Sequence, residues 1–226
     1  MIWKDFKTAH SLEKELLNSI ETNIRISLKE NNEALILLSG GSTPLSLYKK
    51  FKEIKKIDWS KIKFGLVDER WVNNSSKDSN FYNISEALGG QIIEKSTFIP
   101  LVYDELNEKK NISQAKKANI EFLGKKTIVI LGMGTDGHTA SLFHDNSKTE
   151  IAISQLTPNI LENIAPVSPK NRITHNLKSI FNSKKVILYI KGQEKKDVLE
   201  KSKIDLLPIS YVINTLSTQV ETFWTK

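Results

Sequence analysis

A histidine and an aspartate stand two residues apart just past the middle of the chain, as Asp136 and His138. A neutral imidazole can take a proton from water as the water attacks a carbonyl carbon, and a nearby carboxylate can orient that imidazole. The pair lacks the third ligand that a metal site would need, so we expect general-base chemistry here and no metal. The alternative is a purely structural histidine. The remaining histidines have no comparable context: His10, His144 and His175.

The segment around this pair has the pattern of a strand, a glycine turn and a helix. Residues 127–131 are apolar and β-branched, as in a buried parallel strand, and residues 140–143 favour a helix. The turn between them contains Gly132, Gly134 and Gly137. Its G-x-G-x-x-G pattern would alone suggest a dinucleotide site, but it lies outside the first βαβ unit, and no acidic residue ends the next strand to bind a ribose. A strand followed by a glycine turn and a helix instead places polar groups at the carboxyl edge of a sheet, where open α/β sheets bind ligands.

A second glycine turn, after the apolar run 34–38, has the residues of an anion site. The turn consists of Gly40, Gly41, Ser42 and Thr43. Its amides and hydroxyls can donate hydrogen bonds to a phosphate, and the helix predicted to begin at Pro44 favours an anion at its N-terminus. No Gly-Lys-Ser/Thr follows, which excludes a Walker A loop. An ordinary tight turn is the alternative.

A third apolar run, residues 62–67, is followed directly by three charged residues, Asp68, Glu69 and Arg70. They indicate a third polar strand end that converges on the other two. The alternative is a solvated loop with a surface ion pair of little energetic value. Asn80 follows in the next polar segment, immediately before a helix predicted over residues 81–88.

Helices and strands alternate along the rest of the chain. A four-residue apolar step predicts a long helix over residues 11–31, capped by Thr8 or Ser11. Further helices are predicted over residues 45–51, 112–123, 177–181 and 194–201, and strands over residues 96–101, 151–153, 164–167, 185–190 and, at a sheet edge, 219–224. This alternation predicts an α/β fold with a mainly parallel sheet and flanking helices. Without a repeat, linker or break in composition, residues 1–226 are expected to form a single domain.

The composition is that of an ordinary globular protein, with 226 residues of which 39% are hydrophobic and 26% charged. The absence of cysteine excludes disulfides and thiolate chemistry. No apolar run reaches about 18 residues and the N-terminus lacks a signal-peptide core, so we expect a cytoplasmic protein without membrane contact. The formal net charge is +7, but the lysines are scattered in pairs. We therefore expect solvated faces and steering of a small anionic substrate, and no nucleic-acid binding.

Six segments of the sequence, taken in order, resemble one known family. They cover residues 38–44, 68–72, 78–80, 132–143, 172–174 and 192–195, and they have the order and spacing of the 6-phosphogluconolactonases. The related glucosamine-6-phosphate isomerases carry Asp-Glu-Tyr where this chain has Asp-Glu-Arg, and a glutamate after their Gly-His-Ile-Ala-Phe run that this chain lacks. The sequence departs from the lactonase pattern where His144 replaces a proline and where His175 and Asn176 replace Leu-Thr.

The resemblance implies a Rossmann-like fold of the sugar-phosphate isomerase type. It also implies hydrolysis of 6-phospho-D-glucono-1,5-lactone to 6-phospho-D-gluconate, the second step of the oxidative pentose phosphate pathway. No metal or cofactor is expected, and the partner is a small sugar phosphate bound by a monomer or weak dimer. The alternatives are a glucosamine-6-phosphate isomerase/deaminase and a non-catalytic sugar-phosphate-binding protein.

The same resemblance implies the roles of individual residues. His138 would be the general base, Asp136 would orient it or bind sugar hydroxyls, and Arg70 or the amides of the glycine turn would stabilise the oxyanion. Arg172 and Lys195 would supply the charge for the phosphate. The full set of substrate-binding residues would be Gly40, Gly41, Ser42, Thr43, Asp68, Asn80, Gly134, Arg172 and Lys195.

Overall fold

The computed structural model describes residues 1–202, 204–215 and 219–226. In chain order, the strands of these residues, β1 to β10, are Ile2–Phe6, Ala34–Leu38, Ile62–Leu66, Asp68–Arg70, Thr97–Ile99, Lys126–Leu131, Ile160–Ile164, Asn171–His175, Ser183–Lys191 and Gln219–Thr225. The helices, α1 to α10, are Ala9–Asn31, Ser42–Tyr48, Asn80–Leu88, Gly90–Ile93, Glu108–Ala118, Ile120–Leu123, Ser147–Ser154, Leu177–Phe181, Gln193–Lys201 and Pro208–Ile213. Within these ranges, no helix is both long enough and apolar enough to cross a membrane.

Seven of the described strands form one parallel sheet in the order β1-β10-β9-β6-β2-β3-β5. β4, β8 and β7 form a small antiparallel sheet beside it. The predicted α/β fold with a mainly parallel sheet is confirmed. The chain moves outward from β2 through β3 to β5 and then returns to the other side of β2 as β6. Such a reversal of strand order is where open α/β sheets bind ligands.

Helices cover both faces of the large sheet, which explains why its central strands are apolar without alternation. In β2, Ile36 belongs to the core on one face and Leu37 to the core on the other. Ile128 and Val129 divide in the same way in β6. A strand buried on both faces has no solvent side for polar residues. The long helix α1 covers one face with four fully buried residues: Leu12, Leu16, Ile20 and Ile24.

The predicted helix over residues 140–143 and the predicted strand over residues 151–153 are both wrong. The first segment is a turn, closed by a 3.1 Å hydrogen bond from the amide of Leu142 to the carbonyl of Thr139, with Ala140 at a φ of 51°. The helix begins only at Ser147, because the Asn146 side chain caps it by accepting the amides of residues 148 and 149. That helix, α7, then includes residues 151–153, whose β-branched isoleucines had favoured a strand.

The predicted edge strand over residues 219–224 exists as β10, but it does not lie at the edge. β1 pairs with it in parallel and covers it. Phe6 stacks on Phe223 with ring centroids 5.9 Å apart, and Trp3 lies 6.1 Å from Trp224. β1 was not predicted because it is only five residues long and its three apolar residues, Ile2, Trp3 and Phe6, neither alternate strictly nor form a continuous run.

Other boundaries differ in smaller ways. The helix predicted over residues 112–123 is two helices, α5 and α6, separated at Asn119. The strand predicted over residues 164–167 is displaced, since β7 ends at Ile164 and the following residues form the tip of a hairpin with β8. Of the two residues considered as the cap of α1, Thr8 is the cap, and its side chain accepts the amide of Ser11 at 3.1 Å.

Lys126, at the start of β6, is a fully buried lysine whose effect on stability can be tested. Its Nζ donates to the carbonyl oxygens of Phe122 at 2.8 Å and Gly124 at 3.0 Å. Burial lowers the pKa of Lys126 to about 7. The unfolded chain keeps this proton at higher pH than the folded chain does. The free energy of unfolding should therefore rise between about pH 7 and pH 10, by at most about 1.4 kcal/mol per pH unit.

Urea unfolding at pH 7, 8 and 9 measures this dependence. Lys126→Met removes the titrating group, so the variant should show a smaller rise in unfolding free energy than the unmodified chain over the same interval. Parallel curves for the two proteins would contradict the assignment.

Candidate active site

A cleft of about 220 Å³ opens at the carboxyl edge of the parallel sheet, next to the strand-order reversal between β2 and β6. The segment after β2 forms one wall and the segment after β6 forms another. β4 and β8 of the small sheet supply the third. The three strand ends that carry the candidate residues in the sequence thus meet at one place.

Almost every candidate residue from the sequence lies on this cleft. The lining includes Gly40, Gly41, Ser42, Thr43, Asp68, Arg70, Asn80, Gly134, His138, Arg172 and Lys195. Asp136 is not part of the lining but contacts His138 directly. The lining also includes residues that were not proposed as site residues: Ser39, Pro44, Gly132, Met133, Thr139, Ala140 and Tyr189.

His138 and Asp136 form a close imidazole–carboxylate pair. His138 Nδ1 lies 2.5 Å from Asp136 Oδ1, and the backbone amide of His138 donates to the same oxygen at 3.2 Å. The hydrogen bond from the His138 side chain holds the pKa of Asp136 below its usual value. An ionised carboxylate at Nδ1 favours the imidazole tautomer with a free lone pair on Nε2. No hydrogen bond to Nε2 occurs in the part of the chain that the structure describes.

Gly134 makes this pair sterically feasible. Its amide donates to the carbonyl of His138 at 2.9 Å, which folds the turn back on itself. A Cβ at Gly134 would lie 2.2 Å from His138 Nδ1 and 2.5 Å from Asp136 Oδ1. Gly137, with a φ of 77°, completes the turn in a backbone region that glycine adopts without strain. Glycine at position 134 is therefore needed for the contact between the imidazole and the carboxylate.

Gly134→Ala should lower kcat by about 10- to 100-fold, because the added methyl group displaces the imidazole from its position beside Asp136. Steady-state kinetics with the lactone substrate proposed below measure this. Gly90→Ala is the matched control, since Gly90 lies outside the cleft and a Cβ there would meet its nearest neighbour at 3.4 Å. Equal activity of the two variants would contradict the role given to Gly134.

Two arginines face the cleft side by side. Arg70 on β4 and Arg172 on β8 are direct partners in the antiparallel register. Arg70 Nη1 donates to the carbonyl of Asp78 at 2.7 Å, and Arg172 Nε donates to the carbonyl of Pro169 at 2.8 Å. Arg172 is mostly buried, and burial lowers its pKa. Like charges opposite one another on neighbouring strands are unfavourable, so this arrangement favours an anion between or beside them.

The glycine turn after β2 lies on the other side of the cleft. Helix α2 begins at Ser42, so Pro44 is its third residue and not the first, as was predicted. Gly41 precedes the helix with a φ of 99°. Gly40 packs so closely on α3 that a Cβ there would lie 1.9 Å from Asn80 Oδ1. The turn thus brings Ser42 and Thr43, the first two residues of α2, to the wall of the cleft, while Gly40 fixes the distance between the turn and Asn80.

Lys195 adds a third cation near the start of α9. Its side chain is partly buried, and burial lowers its pKa. Among the described residues it forms no ion pair. A lysine held without a carboxylate partner at the wall of a cleft is available to an anionic ligand.

Asp68 and Asn80 are two nearly buried polar residues that line the cleft. Asp68 Oδ2 accepts a hydrogen bond from Ser141 Oγ at 2.6 Å, and Asn80 Nδ2 donates to the carbonyl of Asp68 at 3.0 Å. These contacts fix both side chains before any ligand binds. A fixed carboxylate and a fixed carboxamide are suited to hydrogen bonds with sugar hydroxyls.

Tyr189 and the carboxylate behind it were missed in the sequence. Glu13 Oε1 accepts hydrogen bonds from Tyr189 Oη and Lys191 Nζ, both at 2.8 Å, and from Ser46 Oγ at 2.7 Å. Burial opposes its ionisation, but the bonds from Lys191, Lys50, Ser46 and Tyr189 prevail and lower the pKa of Glu13 to about 2. The sequence signal that could have identified Glu13 is its position as an acidic residue on the apolar face of the predicted helix over residues 11–31.

The cleft combines a histidine paired with a carboxylate, three cations and fixed hydrogen-bonding groups. This set can bind a phosphorylated polar molecule and activate water next to it. In the described residues, no group of three or more His, Cys, Asp or Glu side chains is placed to hold a metal ion.

The chain is similar to known proteins over nearly its whole length. A family model described as glucosamine-6-phosphate isomerases/6-phosphogluconolactonase matches residues 7–224. The 6-phosphogluconolactonase of Helicobacter pylori is 30% identical over 226 residues, with 98% of this chain and 97% of that protein covered. The crystal structure of a 6-phosphogluconolactonase from Shewanella baltica superposes with a TM-score of 0.92 at 29% identity, covering 100% of this chain and 98% of that one. A putative 6-phosphogluconolactonase from Neisseria gonorrhoeae gives a TM-score of 0.91 at 28% identity, with 100% of both chains covered.

Proposed function

The chain belongs to the glucosamine-6-phosphate isomerase/6-phosphogluconolactonase family, and on that premise we propose that it hydrolyses 6-phospho-D-glucono-1,5-lactone to 6-phospho-D-gluconate with His138 as general base. This is the second step of the oxidative pentose phosphate pathway. The observation that carries the proposal is the His138–Asp136 pair, 2.5 Å apart, at a cleft that also holds three cations. A lactone needs an activated water, and its phosphate needs positive charge.

The hydrolytic step begins at His138. The Asp136 carboxylate accepts a hydrogen bond from the N–H at Nδ1, so Nε2 is free to take a proton from water as the water oxygen attacks C1 of the lactone. The resulting tetrahedral intermediate carries an oxyanion on the former carbonyl oxygen. The bond between C1 and the ring oxygen then breaks, and the imidazolium returns its proton to that ring oxygen. The product is an open-chain acid, which ionises at neutral pH.

Arg70 is proposed to stabilise the oxyanion. Its backbone belongs to a short strand and one guanidinium nitrogen is bound to the carbonyl of Asp78, so the group is held in place before the reaction. Pre-organised charge of this kind stabilises a developing oxyanion without reorganisation during the step. The amides of the turn around Gly134 are the alternative donors.

The phosphate is proposed to bind between the glycine turn after β2 and the cations Arg172 and Lys195. Amides and hydroxyls of Ser42 and Thr43 would donate to its oxygens, while the two side chains neutralise its charge. Asp68 and Asn80, which line the same cleft, would bind sugar hydroxyls. This arrangement sets the lactone carbonyl near His138 by fixing the opposite end of the molecule.

Substrate turnover distinguishes this function from that of the other branch of the family. Lactone consumption should exceed the spontaneous rate when the protein is added, whereas glucosamine 6-phosphate should release no ammonia. Ammonia release without lactone consumption would assign the isomerase/deaminase reaction instead. Binding of 6-phosphogluconate with neither reaction would indicate a sugar-phosphate-binding protein without catalytic activity.

A further inference from the structure

Glu69 is a completely buried carboxylate directly behind the cleft. It lies on β4 between Asp68 and Arg70, both of which line the cleft. Because side chains alternate along a strand, Glu69 points to the opposite side, toward the start of α3. It does not line the cleft, and the hydrolysis proposed above does not use it.

Four donors converge on this carboxylate. Oε1 accepts the amides of Arg70 at 2.6 Å and Asn80 at 2.8 Å. Oε2 accepts the hydroxyl of Ser79 at 2.9 Å and the amide of Phe81 at 2.7 Å. Burial raises the pKa of Glu69, and these four hydrogen bonds oppose that rise. Three of the donors are backbone amides, which cannot reverse their direction to accept a proton.

The two segments joined by Glu69 each carry a cleft residue on the other side. β4 carries Arg70, whose guanidinium is bound in turn to the carbonyl of Asp78 just before α3. The first residue of α3 is Asn80, whose carboxamide is bound to the carbonyl of Asp68 and packs against Gly40. A shift of α3 relative to β4 would therefore displace both the guanidinium of Arg70 and the carboxamide of Asn80. It would also change the space available to the glycine turn at Gly40.

We propose that Glu69 is a positioning residue for the hydrolysis: its carboxylate fixes the Arg70 backbone against the first turn of α3, so that Arg70 and Asn80 face the substrate at the required separation. This inference rests on the proposed function. Glu69 differs from an ordinary helix cap in one respect, since a cap affects only the stability of its own helix. Glu69 acts on substrate through two residues that it holds together.

Glu69→Gln tests the inference because it keeps the shape of the side chain but replaces one oxygen with an NH₂ group. Whichever oxygen is replaced, the new donor faces at least one backbone amide, and hydrogen bonds on that side are lost. We expect kcat/KM for the lactone to fall by about 10- to 100-fold. Asn107→Ala is the control, since Asn107 caps α5 by accepting the amide of Lys110 at 3.0 Å and lies outside the cleft. It should lower thermal stability without lowering kcat/KM of the folded protein.

A double-mutant cycle separates positioning from loss of stability. Because Glu69 is proposed to act through Arg70 and Asn80, the effect of Glu69→Gln on kcat/KM should be smaller in an Asn80→Ala background and in an Arg70→Ala background than in the unmodified chain. An undiminished effect in both backgrounds, or unchanged kinetics in the single variant, would overturn the inference. If Glu69→Gln does not fold, Ser79→Ala removes one of the four donors and should give a smaller decrease in kcat/KM that also shrinks in the Asn80→Ala background.

The kinetics of the unmodified protein and of these variants distinguish a failure of the proposed lactone hydrolysis from a failure of the positioning role of Glu69. An unmodified protein that does not hydrolyse the lactone would contradict the proposed function and, with it, the role of Glu69. An active unmodified protein with unchanged kinetics for the Glu69→Gln and Ser79→Ala variants would contradict only the role of Glu69.

Discussion

His138→Ala is expected to lower kcat for lactone hydrolysis by about 10²–10⁴ while leaving KM largely unchanged. In the proposed mechanism, the imidazole acts on the water in the transition state, whereas other residues are proposed to bind the phosphate and the hydroxyls of the substrate. Its removal should therefore reduce the rate of the chemical step without removing ground-state binding. Steady-state kinetics, corrected for the spontaneous opening of the lactone, measure both constants.

The chain provides a matched control in a second histidine–aspartate pair. His144 Nε2 lies 3.2 Å from Asp145 Oδ1, but both residues are exposed and neither lines the cleft. His144→Ala should leave kcat unchanged. Asp136→Asn should lower kcat, because it removes the carboxylate that orients the imidazole. A large loss of activity in His144→Ala, or none in His138→Ala, would contradict the assignment of the base.

Arg172→Ala and Lys195→Ala are each expected to raise KM by about 10- to 100-fold, with a smaller effect on kcat. A hydrogen bond to a charged group contributes roughly 1.5–3 kcal/mol, which corresponds to that range. Arg172→Lys should recover only part of the loss, because a lysine cannot reproduce the planar fork of the guanidinium. Steady-state kinetics with the phosphorylated lactone measure these changes.

Two controls show whether these cations recognise the phosphate. Glucono-1,5-lactone lacks the phosphate, so neither substitution should raise its KM by a comparable factor. Lys196→Ala changes the neighbouring lysine, whose Nζ lies 4.4 Å from the centre of the Trp224 ring and which does not line the cleft. It should leave both substrates unaffected. Equal losses with and without the phosphate would place Arg172 and Lys195 away from that group.

The position of the cleft could be predicted from the sequence because the signals were local and strong. Apolar runs ended in glycines and charged residues after β2, β3 and β6, and parallel strands bring such ends to one edge. The fold class followed from the same alternation of strands and helices. The strand order could not be predicted, because the return of β6 to the far side of β2 is set by packing between distant residues.

The site could be predicted less completely where tertiary contacts override local preference. Residues 140–143 had the composition of a helix, but the chain there turns at Ala140 so that the Ser141 hydroxyl reaches Asp68. Glu69 was grouped with Asp68 and Arg70 at a polar strand end, yet it is fully buried away from the cleft because four donors from two segments meet it. Neither outcome is encoded in a short window of sequence.

The departure from the lactonase pattern at residues 175–176 has a structural explanation in this chain. His175 is fully buried and its Nδ1 lies 2.7 Å from Ser179 Oγ, while burial holds the pKa of His175 well below its usual value. Asn176 caps α8 by accepting the amide of Ser179 at 2.8 Å. His175 is thus the last residue of β8 and Asn176 begins the connection to α8, and neither residue lines the cleft.

Acid release from 6-phospho-D-glucono-1,5-lactone, generated in place by glucose-6-phosphate dehydrogenase, tests most directly whether the protein hydrolyses this lactone with His138 as its base. Three samples are compared: the unmodified protein, His138→Ala and no protein. The unmodified protein should release acid at a rate well above the spontaneous rate, and His138→Ala should lose most of that increase. A rate equal to the spontaneous one for the unmodified protein would contradict the proposed hydrolysis, and an undiminished rate in His138→Ala would contradict the role of His138 as general base.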